Sequence, residues 1–137
     1  MQKQSSLILD TDVLSFILDR KEQPLYFAPY LKGRTLFVSF VNVAEIYHGA
    51  YKAGWGPARL DSLKAYLRKY AVLPFVDDLC LEWAKIQSEA DEDGHPIGDS
   101  DCWIAACARY YGYAIVTNNG KHFQYVRGIR IISPNNN

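Results

Sequence analysis

Apolar residues in this chain follow two alternating rhythms. Short, largely apolar runs at Leu7-Ile8-Leu9, Leu36 to Ser39, Ala71 to Val76, Ala114 to Thr117 and Ile129 to Ile132 read as strands buried on both faces. Between them, apolar positions recur every three or four residues, which predicts helices over Val13–Leu18, Leu25–Leu31, Val41–Lys52, Ala58–Tyr70 and Asp78–Asp91. The third of these buries Val41, Ala44, Ile46 and Ala50, and the fifth Leu79, Trp83, Ile86 and Ala90. A further helix starts at Asp99 or Ser100 with Trp103, Ile104 and Ala108 on its face, and a short one covers Phe123 and Val126. Lys32-Gly33, Gly54-Trp55-Gly56-Pro57, Asp93-Gly94-His95-Pro96 and Asn118-Asn119-Gly120 punctuate the pattern. Strands alternating with helices imply right-handed β-α-β crossovers. The expected fold is a three-layer α/β/α single domain over residues 1–137 with a mostly parallel central sheet.

Composition narrows this picture. With 137 residues, 49% of them hydrophobic, the chain supplies a real core for one domain. Its formal net charge is zero, so no overall basic field announces a polyanion binder. The charges are segregated, however. Five basic residues (Lys52, Arg59, Lys64, Arg68, Lys69) face one acid, Asp61, between positions 52 and 69, and nine acids face one base, Lys85, between Asp77 and Asp101. The three cysteines, Cys80, Cys102 and Cys107, lack a C-x-x-C spacing and read as thiols in a reducing compartment. No stretch approaches membrane-spanning length, and the N-terminus lacks a signal-peptide core, so a soluble cytoplasmic protein is expected.

The candidate chemistry lies in acids set on or beside apolar segments. Asp10 ends the first strand, and ligands of open α/β sheets collect at the carboxyl ends of strands. Glu45 is flanked by Val43, Ala44 and Ile46. Asp99 and Asp101 open the helix that leads into the fourth strand, and Asn119 closes that strand. Each has a plainer reading. Asp12, more readily than Asp10, can cap the helix from Val13; Asn42-x-x-Glu45 resembles a capping box, although Ser39 is an earlier and better cap; and Asp99 and Asp101 suit a helix N-terminus. Taken together, carboxylates converging from three segments need cations or protons, and a hard divalent ion such as Mg²⁺ suits oxygen ligands.

The blocks ILDTDVLS, VSFVNVAEIYHGA, HPIGDSDCWIAACA and IVTNNGKHF, in that order, resemble PIN-domain nucleases, in particular the VapC-type toxins of bacterial toxin–antitoxin pairs. The resemblance covers essentially the whole chain. It implies that Asp10, Glu45 and Asp101 form the catalytic acidic core, with Asp10 and Asp101 holding one or two Mg²⁺ or Mn²⁺ ions. Thr11, Asp12, Asp99, Thr117 and Asn119 flank it. Two positions depart from the pattern: Asp12 stands where the family usually has Asn, and Asn119 where many members have a fourth acid, a charge that Asp99 partly replaces. The implied reaction is hydrolysis of an RNA phosphodiester, with Glu45 as ligand or as the base that positions water. The implied partners are a small antitoxin and a second copy of the chain.

Two other functions fit some of the same residues. ILDTDVL followed by IGDSDCWIAA also resembles the haloacid-dehalogenase phosphatases, but Val13-Leu14 replaces their Gly-Thr and Glu45 is left without a task. A catalytically silent PIN-type binding module is the other reading. For RNA contact, Lys64 and Arg68 share a helix face, and Arg34, Lys121 and His122 near strand ends are the fallback candidates. Tyr47, Tyr51 and Trp55 recur every four residues; of these, Tyr51 and Trp55 are the partner-contact candidates, because Trp55 lies among loop residues where burial within one domain is difficult.

Overall fold

The computed structural model describes residues 6–19, 29 and 31–133. Five parallel strands lie in the order β3-β2-β1-β4-β5: β1 (Ser6–Leu9), β2 (Thr35–Val38), β3 (Ala71–Val72), β4 (Ala114–Val116) and β5 (Ile131–Ile132). The helices are α1 (Thr11–Asp19), α2 (Phe40–Lys52), α3 (Pro57–Leu67), α4 (Asp77–Asp93) and α5 (Asp99–Tyr111). The expected parallel α/β architecture is what the chain adopts.

Side-chain alternation along the central strands divides the core in two. Leu7 and Leu9 of β1, with Ala114 and Val116 of β4, pack beneath Val13, Leu14, Ala50, Leu63 and Leu67 from α1, α2 and α3. Ile8 and Ile115 point the other way, against Leu79 and Ile86 of α4 and Cys102, Ile104 and Ala105 of α5. Both central strands are thus covered on both faces, as their unbroken apolar runs require. The run Ile104 to Ala108 is fully buried. Its small residues let α5 lie close against the sheet, so its first turn comes to the strand ends. All three cysteines are free thiols. Among the described residues, no helix is long and apolar enough to cross a membrane.

Several expected boundaries and faces need correction. The third strand ends at Val72: Leu73 still donates to Val38 O at 2.9 Å, but Pro74 has no N–H with which to continue the ladder. The last strand is only Ile131–Ile132, following a turn in which Gly128 takes φ +72°. In place of a helix over Phe123 and Val126 there is a 3₁₀ turn at Gly120–His122, and Phe123 and Val126 donate to carbonyls three residues back. On α2, Ala44 is exposed and Asn42 is buried in its place. The helix expected over Leu25–Leu31 falls outside the described residues apart from Pro29 and Leu31.

Candidate functional site

The strand order 3-2-1-4-5 reverses direction between β1 and β4, and a crevice opens beyond their carboxyl ends at such a switch point. Asp10 and Thr117 are the first residues past those ends. Asp10 N donates to Val116 O at 2.9 Å, extending the ladder by one bond. Its carboxylate, 7% exposed, accepts from Thr11 N at 2.8 Å and from Thr117 Oγ1 at 2.8 Å. α1 starts at Thr11, two residues before the apolar periodicity, so Asp10 occupies the position preceding the helix and Asp12 lies within its first turn. This reverses the expectation that Asp12 was the better capping candidate.

Glu45 is positioned from α2. Ser39 caps that helix in a capping box with Asn42, whose Oδ1 accepts from Ser39 N at 2.8 Å and from Ser39 Oγ at 2.9 Å. Asn42 Nδ2 then donates to Thr11 Oγ1 at 2.8 Å, and that hydroxyl donates in turn to Glu45 Oε1 at 2.5 Å. One partly buried relay therefore locks the start of α2 to the start of α1 and aims Glu45 at the same edge as Asp10. Sequence reasoning missed Asn42 as a site residue. The available signal was Ser39-x-x-Asn42, a helix start that leaves the Asn side chain a donor to spare.

Asp101, in the first turn of α5, has Oδ2 at 3.3 Å from His122 Nδ1. Asp12 Oδ2 accepts from Asn118 N at 3.1 Å and from Asn119 Nδ2 at 3.4 Å, while Asn119 N donates to Thr117 Oγ1 at 2.9 Å. The turn after β4 thus contributes three successive residues, Thr117 to Asn119, to holding the two aspartates of α1's start.

The electrostatics are those of crowded acids. Burial raises the Asp10 carboxyl and the Glu45 charge adds to this, against the Thr117 and Thr11 hydrogen bonds and the charge of His122. Asp12 is pushed up to about 6 by burial and then by the charge of Asp10. Asp101 is raised by burial, then by Asp10 and Glu45, with His122 opposing. Asp10, Glu45 and Asp101 therefore feel one another, and Asp12 feels Asp10. Among the described residues, no three His, Cys, Asp or Glu side chains stand close enough to encage an ion alone. Mutually repelling, partly buried carboxylates fit a hard cation that keeps part of its water shell.

Not every candidate belongs to this group. Asp99 is exposed and presents its backbone carbonyl to Trp83 Nε1 at 3.3 Å. It begins a helix where the phosphatase alternative requires a strand end. Arg34 precedes β2, at the amino end of the strand and so at the opposite edge of the sheet from Asp10. Lys64 on α3 and Arg68 just past its end are exposed beside a hollow of about 400 Å³ shared with Tyr47, Tyr70 and Val72. Lys121 and His122 do lie at the site edge, on the 3₁₀ turn after β4.

From Glu45 a groove of about 290 Å³ runs past Thr11, Ser15, Ile46 and Gly49 to Trp55. A second hollow, of about 200 Å³, continues it along Arg59, Ser62 and Tyr66. Trp55 is half-buried against Leu63 and its neighbours, with the Arg59 guanidinium 3.8 Å above its ring, so it is less isolated than its loop position suggested. Tyr51 is 68% exposed.

Comparison with known proteins identifies the family and the fold. Residues 7–129 match the PIN domain. Ribonuclease VapC2 of Haemophilus influenzae is 27% identical over 123 residues, covering 90% of this chain and 93% of its own. The tRNA(fMet)-specific endonuclease VapC of Shigella flexneri is 28% identical with the same coverage. Among solved structures, VapBC-1 from nontypeable Haemophilus influenzae superposes with a TM-score of 0.83 at 23% identity, covering 96% of this chain and 99% of that one. DNA-bound VapBC from Salmonella typhimurium gives 0.81 at 25% identity, covering 94% and 98%. With the family match spanning nearly the whole chain and the acids gathered at the sheet's switch point, the chain belongs to the PIN-domain family.

Proposed function

We propose that this protein is a divalent-metal-dependent endoribonuclease, the toxin of a toxin–antitoxin pair, cutting RNA phosphodiester bonds at the edge built by Asp10, Glu45 and Asp101. The observation that carries this reading is the convergence of those three carboxylates, from three separate chain segments, at the β1/β4 switch point. Nucleases of this family generally depend on divalent metal ions. Asp10 and Asp101 are the residues that would hold Mg²⁺ or Mn²⁺, one ion or two. When bound, such an ion lowers the pKa of coordinated water and offsets charge on the phosphate.

The chain's own groups supply orientation. The Thr117 hydroxyl and the Thr11 N–H fix the two oxygens of Asp10. The hydroxyl of Thr11 turns Glu45 toward the site, where it acts as a further ligand or positions the attacking water. His122, more than half exposed beside Asp101, offers a donor to a phosphate oxygen of the strand being cut. Lys64, Arg68 and Lys121 supply local positive surface that a neutral protein needs for a polyanion.

The groove from Glu45 to Trp55 is where a segment of the antitoxin would lie, its apolar side chains against Tyr51 and Trp55 and a basic residue reaching the acids. Self-association as a homodimer completes the proposed assembly. The test is cleavage of total RNA by purified protein with Mg²⁺ or Mn²⁺, followed by sequencing of the cut ends. Cleavage lost in Asp101→Asn, with the fold retained, supports the reading; phosphate release from small monoesters without RNA cleavage refutes it.

A further inference from the structure

The groove that leaves Glu45 is charged at both ends and apolar between them. Its first hollow is walled by Ile46, Ala50 and Leu63, and it shares Leu18, Leu63 and Trp55 with the second, where Arg59 stands. The Arg59 guanidinium sits 3.8 Å from the centroid of the Trp55 ring. An arginine seated over an indole keeps its N–H donors, which lie in its own plane, for a further partner. Among the described residues no carboxylate comes within ion-pair distance of it. A cation already oriented at the end of an apolar groove is a ready receptor for a carboxylate.

Gly49 is a second, independent observation. It lines the same groove, three residues before the end of α2, and its backbone is helical rather than left-handed. A glycine inside a helix is less stable there than alanine. Beyond its own helix backbone, a Cβ at this position would meet nothing within 4 Å. Neither conformation nor packing within this chain calls for glycine here. What it supplies is bare backbone at the groove wall, which lets another chain approach closely.

We propose that this groove takes a partner polypeptide in one fixed charge order: a basic group at Glu45, main chain close over Gly49, apolar side chains against Leu63 and Trp55, and a carboxylate on Arg59. This rests on the reading of the groove as the partner's seat, and adds to it the Arg59 contact and the close approach at Gly49. RNA is the poorer fit, because Glu45 repels phosphate at one end and the walls between are apolar.

The test uses short synthetic fluorescein-labelled peptides with Arg at one end, Leu and Trp at varied spacing between, and Asp, Asn or Lys at the other end, in both chain directions. Anisotropy measures their binding to the full chain. On wild type the best Asp-ended peptide is expected to bind at least about tenfold tighter than its Asn twin. Arg59→Gln should abolish that preference and Arg59→Glu should turn it toward the Lys-ended peptide, with RNA cleavage unchanged in both. Gly49→Ala should raise the Tm of the free protein and still weaken the same peptide at least about fivefold. An Asp preference that survives Arg59→Gln, or peptides that bind wild type without one, overturns the Arg59 contact and leaves the groove reading standing. Peptide binding retained in Gly49→Ala, or a Tm that falls, overturns the close approach. If Arg59→Gln weakens binding of total RNA and leaves the peptides alone, the cation serves RNA and the proposal fails. If no peptide binds in either direction, the groove reading falls with it.

Discussion

Thr117 donates its hydroxyl to Asp10 at 2.8 Å across 107 positions of sequence. The bond joins the ends of β1 and β4, adjacent at the centre of the sheet, and holds the most deeply buried carboxylate of the site in one orientation. Thr117→Val keeps the shape but leaves an oxygen of Asp10 without its donor. The expected outcome is a 10- to 100-fold loss of Mn²⁺ affinity, roughly the effect of losing an outer-shell partner, with about 1–3 kcal/mol of destabilisation. Calorimetry and denaturant unfolding measure the two effects separately.

Replacing Asp10 itself by Asn tests the centre of the site. RNA cleavage should fall by more than about 100-fold, exceeding the loss from an outer-shell partner, while circular dichroism remains that of wild type. Activity within a few-fold of wild type would remove Asp10 from the reaction.

The pH dependence follows from the sign of the shifts. Asp10, Asp12 and Asp101 are all raised, so the folded protein binds protons that the unfolded chain releases. A raised carboxyl destabilises the fold at pH values above its folded pKa, and that cost fades as pH drops through the folded value toward the ordinary carboxylate range. Metal-free protein should therefore gain Tm on going from pH 7.5 to about 5, with Asp12 near 6 contributing in the middle of that window. Added Mn²⁺ should raise Tm strongly at pH 7.5 and hardly at pH 5, where protons compete for the same oxygens. Scanning calorimetry at both pH values, with and without Mn²⁺, reads all four combinations.

Charge reversal at Lys64 and Arg68 is expected to weaken RNA binding and to flatten its dependence on log salt by roughly one unit for each phosphate that the variant no longer neutralises. Filter binding over a salt series provides both numbers. If neither changes, Lys121 and His122, on the turn beside Asp101, are the positions to reverse next.

Tyr51, exposed on α2 outside the residues that line the groove, makes the cleaner test of the proposed partner contact. Trp55 packs on the core near Leu63, so its removal disturbs the fold as well as the surface. Tyr51→Ala touches an exposed ring and should weaken a partner complex by about 1–2 kcal/mol without a change in Tm. Affinity unchanged in this variant would place the partner elsewhere.

What the sequence determined by itself was the alternation of buried strands and amphipathic helices, and with it the parallel sheet. Runs such as Leu7-Ile8-Leu9 and Ala114 to Val116 have no polar face, so only a sheet covered on both sides satisfies them. The same local logic identified Ser39 as a cap and put Asp10 and Asp101 at element boundaries, where the sheet's own geometry delivers them to one edge. Tertiary structure decided which neighbours share that edge. Asp99 and Asp101 are two residues apart on a helix, which turns them to different sides, and only the second meets His122. Arg34 sits at a strand end, but at the amino end, a distinction that only chain direction within the sheet makes. Asn42 looks like a helix-start residue in one dimension; packing α2 beside α1 buries it and turns its spare amide toward Thr11. These outcomes depend on pairings 21 to 107 residues apart in sequence, from Asp101–His122 to Asp10–Thr117, and local spacing carries no information about partners that only the folded chain brings together.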